Sequence, residues 1–260
     1  MNEISVERRG RIAIVRFDRG NRANALSLGL MRGLTATARS FEGDYDLSAV
    51  ILTGRDDNFA LGFDLKDAET EALATAGLAE RRAALQTGGR MCEAWTAIDA
   101  LTISVVEGWC VGGGVALAVS TDLRVLASDA ALYAPEIERG MNMSWGSVPR
   151  IVNLIGPARA KRMLALAEKV PASAALDWGL ADEVSDDPMA AALMLAERAA
   201  AMPPVALRMV KQGVDAYANA LAAAASQADY DQFALTQTGE DYAEGIASFL
   251  KGRPARFTGR

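Results

Sequence analysis

Two short segments of this sequence carry residue types that can do chemistry. In the first, Glu107-Gly108-Trp109-Cys110-Val111-Gly112-Gly113-Gly114, three consecutive glycines separate an apolar strand-like run at 101–106 from an apolar helix-like run at 115–119. A glycine-rich turn at a helix start exposes unpaired backbone N–H groups and the positive end of the helix dipole, which suits an oxygen gaining negative charge. Tight packing of strand on helix is the other use of such a triplet. The second segment is Pro135-Glu136, with Met141, Met143 and Trp145 close behind it. A carboxylate among apolar side chains titrates near neutrality and can act as acid and base. A salt-bridged loop carboxylate is the plainer reading of Glu136, and Glu138, two residues on, is expected to face solvent.

Composition narrows the chemistry further. The 260 residues include no histidine, the usual base of Ser and Cys nucleophile systems and the commonest ligand of catalytic zinc. Triad hydrolases and standard zinc enzymes are therefore excluded, and proton transfer falls to carboxylates, Lys, Tyr or backbone groups. Ser144 lacks a base partner. Cys92 and Cys110 have no CxxC spacing and read as small buried hydrophobes. The glycine cluster fits neither GxGxxG nor GxxxxGK[ST], so dinucleotide and P-loop functions are not supported. A formal charge of −6 without a basic run argues against nucleic acid and anionic membrane as partners. No apolar stretch reaches the roughly eighteen residues of a membrane span, and Met1-Asn2-Glu3-Ile4-Ser5 does not resemble a secretory leader, so a cytoplasmic protein is expected.

The elements that must position these segments alternate between strand and helix, an α/β pattern. Ile4 to Phe17 reads as a hairpin turning at Gly10. The stretch 27–41 has helical spacing with Leu30, Leu34 and Ala38 on one face and Ser27 as cap. Ala49-Val50-Ile51-Leu52-Thr53 reads as a strand buried on both faces. A helix is expected over 79–99 after a less regular 68–78, strands at 101–106, 123–127 and 131–134, and helices at 158–168, 173–178, 189–201, 204–222 and 240–250. Pro203-Pro204 marks the expected boundary between a core domain, 1–202, and a helical C-terminal region, 203–260.

Several segments in order carry a family resemblance. Phe59-Ala60-Leu61-Gly62-Phe63-Asp64-Leu65 resembles the F-x-A-G-x-D-L element of the crotonase (enoyl-CoA hydratase/isomerase) superfamily, and 107–114 resembles its N-G-x-x-x-G-G-G element. Asn24-Ala25-Leu26-Ser27, Asp122-Leu123-Arg124, Pro135-Glu136-Ile137 and the closing Glu244-Gly245-Ile246-Ala247-Ser248-Phe249-Leu250 are similar to further family segments, so the likeness spans nearly the whole chain. It implies a spiral of ββα units with a helical C-terminal trimerisation region, and a homotrimer or hexamer. It also implies an acyl-CoA substrate, with coenzyme A as part of that substrate and no separately bound cofactor or metal.

By match to the motifs, the resemblance implies that the Phe63 and Gly113 amides bind a thioester oxygen while an enolate forms. It further implies substrate contacts from Ala23, Ala25, Ala60, Gly62, Asp64, Leu65, Trp109, Gly112, Pro135, Gly140 and Phe249, with Arg22 and Lys251 near phosphates. Hydratases of the family use two glutamates, and here the first of those positions holds Ala116 while the second holds Glu136. One carboxylate suffices to move a double bond, the pattern of the family's enoyl-CoA isomerases. Isomerase chemistry with Glu136 as acid and base is therefore expected. The alternatives are hydration, thioester hydrolysis or decarboxylation with Asn142, Ser144 or Asp64 taking part, and an acyl-CoA-binding subunit without turnover. The loop 140–150 departs from the hydratase pattern.

Overall fold

The computed structural model describes residues 3–73 and 75–260. The N-terminal alternation forms an antiparallel hairpin of β1 (Ile4–Arg9) and β2 (Ile12–Phe17), turning through Gly10 at φ +58°. Helix α1 (Leu28–Arg39) is capped as expected: the Ser27 hydroxyl accepts the Leu30 N–H at 3.1 Å, and Leu30, Leu34 and Ala38 are buried. The chain then enters β3 (Ala49–Thr53), buried at every residue.

From here the chain repeats one manoeuvre, a long strand, a short strand and then helix. β3 is followed by β4 (Asn58–Ala60) and helices α2 (Ala68–Ala72), α3 (Leu78–Leu85) and α4 (Thr87–Thr96). β5 (Leu101–Val106) is followed by β6 (Trp109–Val111) and α5 (Gly113–Ala118). β7 (Leu123–Ala127) is followed by β8 (Ala131–Tyr133), a 3-10 turn (Glu136–Arg139) and α6 (Ser147–Ala165). The long strands join the hairpin and β10 (Glu183–Ser185) in a six-stranded sheet ordered β1-β2-β3-β5-β7-β10, parallel after the first pair. The short strands and β9 (Val170–Pro171) form a second sheet, β4-β6-β8-β9. This is the ββα spiral that the sequence resemblance implies. The main core lies between the two sheets, where Phe17 meets Phe59 edge-on with ring centroids 5.2 Å apart. After α7 (Ala172–Trp178), helix α8 (Pro188–Ala200) covers the other face of the large sheet, against Ile14, Ile51 and Val125.

Two expectations need correction. The helix read over 79–99 is broken into α3 and α4, and the break falls beside Gly88 and Gly89, where other parts of the chain press in too closely for a Cβ. The helix expected from 158 begins at Ser147 instead, and Gly156 interrupts it at φ +74°, ψ 164°, directly before Pro157. Proline disfavours helical geometry in the residue before it, and glycine absorbs the bend.

The C-terminal helices are α9 (Pro204–Ala218), α10 (Ala222–Ser226), α11 (Asp229–Thr236) and α12 (Glu240–Leu250). A buried cation fastens the first of them: Lys211 Nζ, on α9, donates to Ala100 O at 3.1 Å and to Asp122 Oδ2 at 2.7 Å. The same carboxylate oxygen accepts Thr102 N and Oγ1, and Arg124 is buried with bonds to Leu180 O, Thr121 O and Asp182. The Asp122-Leu123-Arg124 segment thus ties helices to sheet. Among the described residues no single helix is long and apolar enough to cross a membrane.

Candidate active site

Two loops meet at the top of β4 and β6. Gly62, at φ +92°, lets the first loop approach so closely that a Cβ there would lie 3.2 Å from Val111 O and 3.9 Å from Gly113 N. Leu26 N donates to Gly62 O at 2.8 Å and Asp64 N donates to Leu26 O at 3.1 Å. These two bonds straddle Phe63, so its own N–H points away from the Leu26 strand. Gly113 opens α5, where the first N–H groups have no partner within the helix. Among the described residues, neither the Phe63 nor the Gly113 amide donates to an acceptor. Two free amides on adjoining turns, one backed by a helix start, can together receive an oxygen that gains charge.

Glu136 stands beside them. Its carboxylate lies against Gly112, where a Cβ would be 2.5 Å from Oε1. Gly112 adopts φ +52° and anchors its N–H on Tyr133 O at 2.8 Å, so both conformation and space demand glycine here. The residue is half-buried, and its Oε2 is enclosed and has no hydrogen-bond partner among the described residues. Burial among apolar groups pushes its pKa up to about 7, with its own backbone N–H and the Arg139 guanidinium pulling weakly the other way. Met141 and Met143 are buried nearby. Glu138 is exposed and meets the Tyr133 hydroxyl instead.

A cavity of about 420 Å³ joins the two features. Of the residues singled out in the sequence, Gly62, Phe63, Leu65, Gly112, Gly113, Pro135, Glu136 and Phe249 line it, as does Ala116. Glu136 is the only carboxylate among the described lining residues. The remaining residues lie elsewhere. Asp64 is bound to Arg19 in a half-buried ion pair, which removes it from the cavity. Ala60 is buried behind Gly114, and Gly140 packs on the backbone of Asp241. Trp109 faces outward beneath Lys169, while Arg22, Ala23 and Lys251 are exposed and Ala25 is half-buried outside the cavity wall. Asn142 is also absent from the wall, whereas Ser144 is part of it.

Trp145, expected from the sequence beside Glu136, lines the cavity in a way the sequence did not show: at φ +60° it sets its indole between two glycines, so that a Cβ at Gly88 would fall 2.0 Å from Cε2, and one at Gly113 2.5 Å from Cζ3. Its ring also meets Phe63 edge-on at 6.4 Å. Tyr230, Phe233 and Gln237 from the α11 region, with Tyr242 of α12, close the cavity from the C-terminal side. Their spacing at 230, 233 and 237 is one helical face, a signal that was available in the sequence. Arg81 and Arg139 complete the wall.

A ββα spiral holding two free amides and an enclosed carboxylate around an apolar cavity defines a class of proteins built to handle a carbonyl compound that becomes an anion. The chain belongs to the enoyl-CoA hydratase/isomerase family, which it matches over residues 7–260. It is similar to the 2,3-dehydroadipyl-CoA hydratase of Escherichia coli, 29% identical over 265 residues with all of each chain covered. Among solved structures it resembles an enoyl-CoA hydratase from Mycobacterium avium subsp. paratuberculosis, with a TM-score of 0.87, 22% identity and 98% of each chain covered, a likeness of fold. An enoyl-CoA hydratase from Bacillus anthracis aligns over the full length of both chains, with 25% identity and a TM-score of 0.76.

Proposed function

We propose that this acyl-CoA enzyme is an enoyl-CoA double-bond isomerase in which Glu136 alone carries the proton. The observation that carries the reading is that Glu136 is the one carboxylate of the cavity wall among the described residues, with Ala116 standing where the resemblance would put a second. The thioester oxygen of a 3-enoyl-CoA accepts the Phe63 and Gly113 N–H groups. Ionised Glu136 takes a proton from C2, the electron pair delocalises onto the oxygen as a dienolate, and the two amides hold that charge. The same carboxyl then returns the proton to C4, leaving the double bond between C2 and C3. A pKa near 7 suits both halves of the cycle, since the group must be ionised to begin and acidic enough to give the proton back.

Under this proposal coenzyme A is carried as part of the substrate, with Ala23, Ala25, Arg22 and Lys251 along its path outside the cavity, and the protein assembles as a trimer or hexamer. The exposed apolar side chains of α9, among them Val205, Met209 and Val214, support such assembly.

Enoyl-CoA hydration is the second reading, favoured by the names of the relatives. One experiment separates the two: incubation with 3-enoyl-CoA and with 2-enoyl-CoA substrates, with the products resolved chromatographically. Isomerisation yields 2-enoyl-CoA from the first with little 3-hydroxyacyl-CoA from the second. Rapid hydration of 2-enoyl-CoA with no isomer formed would reverse the assignment.

A further inference from the structure

The cavity is cationic in a chain of formal charge −6: Arg81 and Arg139 line it against the single Glu136. Arg139 is held from several sides. Its backbone is wedged against α12, where a Cβ at Gly245 would lie 2.6 Å from the Arg139 Cα. Its guanidinium lies 4.2 Å above the Phe249 ring, and Nη1 donates to Pro135 O at 3.2 Å. That bond uses one of five N–H donors, and among the described residues the other four have no acceptor and no carboxylate lies within ion-pair distance. A half-buried, oriented fork with unused donors is suited to a planar anion, which two parallel N–H groups can grip together.

Its place relative to the chemistry is set by the 3-10 turn. The turn sets Glu136 and Arg139 three residues apart, both lining the cavity, and the Arg139 fork reaches back to Pro135 O, so the guanidinium stands on the same stretch of wall as Glu136. A carbon chain whose first carbons lie at Glu136 therefore reaches Arg139 after a few further carbons, and a carboxylate at its end would engage the free donors most strongly.

We propose that the preferred substrates are acyl-CoA thioesters whose short acyl group ends in a carboxylate held by Arg139. This inference rests on the acyl-CoA site described above, though not on which reaction takes place there. Arg81, a second lining residue without a side-chain partner among the described residues, adds to the positive potential.

The test is equilibrium binding of two saturated, unreactive thioesters with the same coenzyme A portion, adipoyl-CoA and hexanoyl-CoA, by titration calorimetry. Adipoyl-CoA is expected to bind roughly tenfold or more tightly than hexanoyl-CoA. Arg139→Gln should collapse that ratio toward one and Arg139→Lys should keep part of it, while hexanoyl-CoA binding reports that each variant is folded. Equal binding of the two ligands to the parent protein would overturn the inference and leave the acyl-CoA site standing, as expected if the guanidinium serves phosphates common to both. A ratio lost in Arg81→Gln but kept in Arg139→Gln would overturn the assignment to Arg139. Failure of both thioesters to bind would overturn the acyl-CoA site itself, and this inference with it.

Discussion

Replacing Glu136 by Gln should make the protein more stable while disabling it. The folded state holds the Glu136 proton up to about pH 7, against 4.5 for an ordinary glutamate. Between those values the native protein binds more protons than the unfolded chain, so the parent loses stability as pH rises through the interval and is constant above it. The full difference amounts to about 3 kcal/mol for a carboxylate forced to ionise in an apolar enclosure. Glutamine has nearly the same shape and no charge, so the variant escapes the penalty. Urea unfolding of both proteins at one protein concentration, at pH 5 and pH 8, provides the assay. The stability of variant minus parent should grow by about 2 kcal/mol or more from the lower to the higher pH, while turnover falls about a hundredfold or more from loss of the base. A difference that does not change with pH would refute the argument, because it would mean that Glu136 ionises at its ordinary pKa in the folded protein.

Three further outcomes follow from the same geometry. The turnover rate of the parent should rise with pH and reach half its plateau near pH 7, since Glu136 must be ionised to accept the first proton, and initial rates that stay flat from pH 5.5 to 8.5 would contradict this. Ala116→Glu should raise water addition to 2-enoyl-CoA above the parent rate by placing a second carboxylate in the cavity, measured on folded protein because Ala116 is 1% exposed and a larger charged side chain there costs stability. Gly112→Ala combines a backbone at φ +52° with a Cβ 2.5 Å from Glu136 Oε1, so it should lower kcat by at least about tenfold through displacement of the carboxylate; an unchanged kcat would separate Glu136 from the reaction.

Local signals in the sequence were enough for much of the spiral and its two central turns. The Ser27 cap, the wholly buried β3 and the glycine triplet at the start of α5 each follow from the chemistry of a few neighbouring residues, and the structure realises all three. Glu136 was legible as well, because its Pro-Glu setting and the following Met141 and Met143 lie within one short segment. What stayed hidden depends on residues distant in the chain. Asp64 sits within the Phe59–Leu65 motif, yet its carboxylate is taken by Arg19, forty-five positions away, a pairing that no local pattern encodes. The indole of Trp145 occupies space left by glycines at 88 and 113, and its positive φ breaks the usual preference of a bulky residue. Helix α11 closes the cavity, although its aromatic residues read locally as an ordinary amphipathic face.

The arrangement of Trp145 between Gly88 and Gly113 gives this site a direction in its history. An alanine acquired first at 88 or 113 would put a methyl carbon 2.0 or 2.5 Å from the indole, so either change alone must expel the tryptophan or distort the turn that carries the Gly113 amide. If a small residue replaces Trp145 first, that obstacle to either alanine disappears. The same substitutions are therefore harmful in one order and tolerated in the other, a case of non-additivity between touching residues. Once an alanine is fixed at either position, the return of tryptophan at 145 meets the same collision, and the descendant keeps a wider cavity until the glycine is restored.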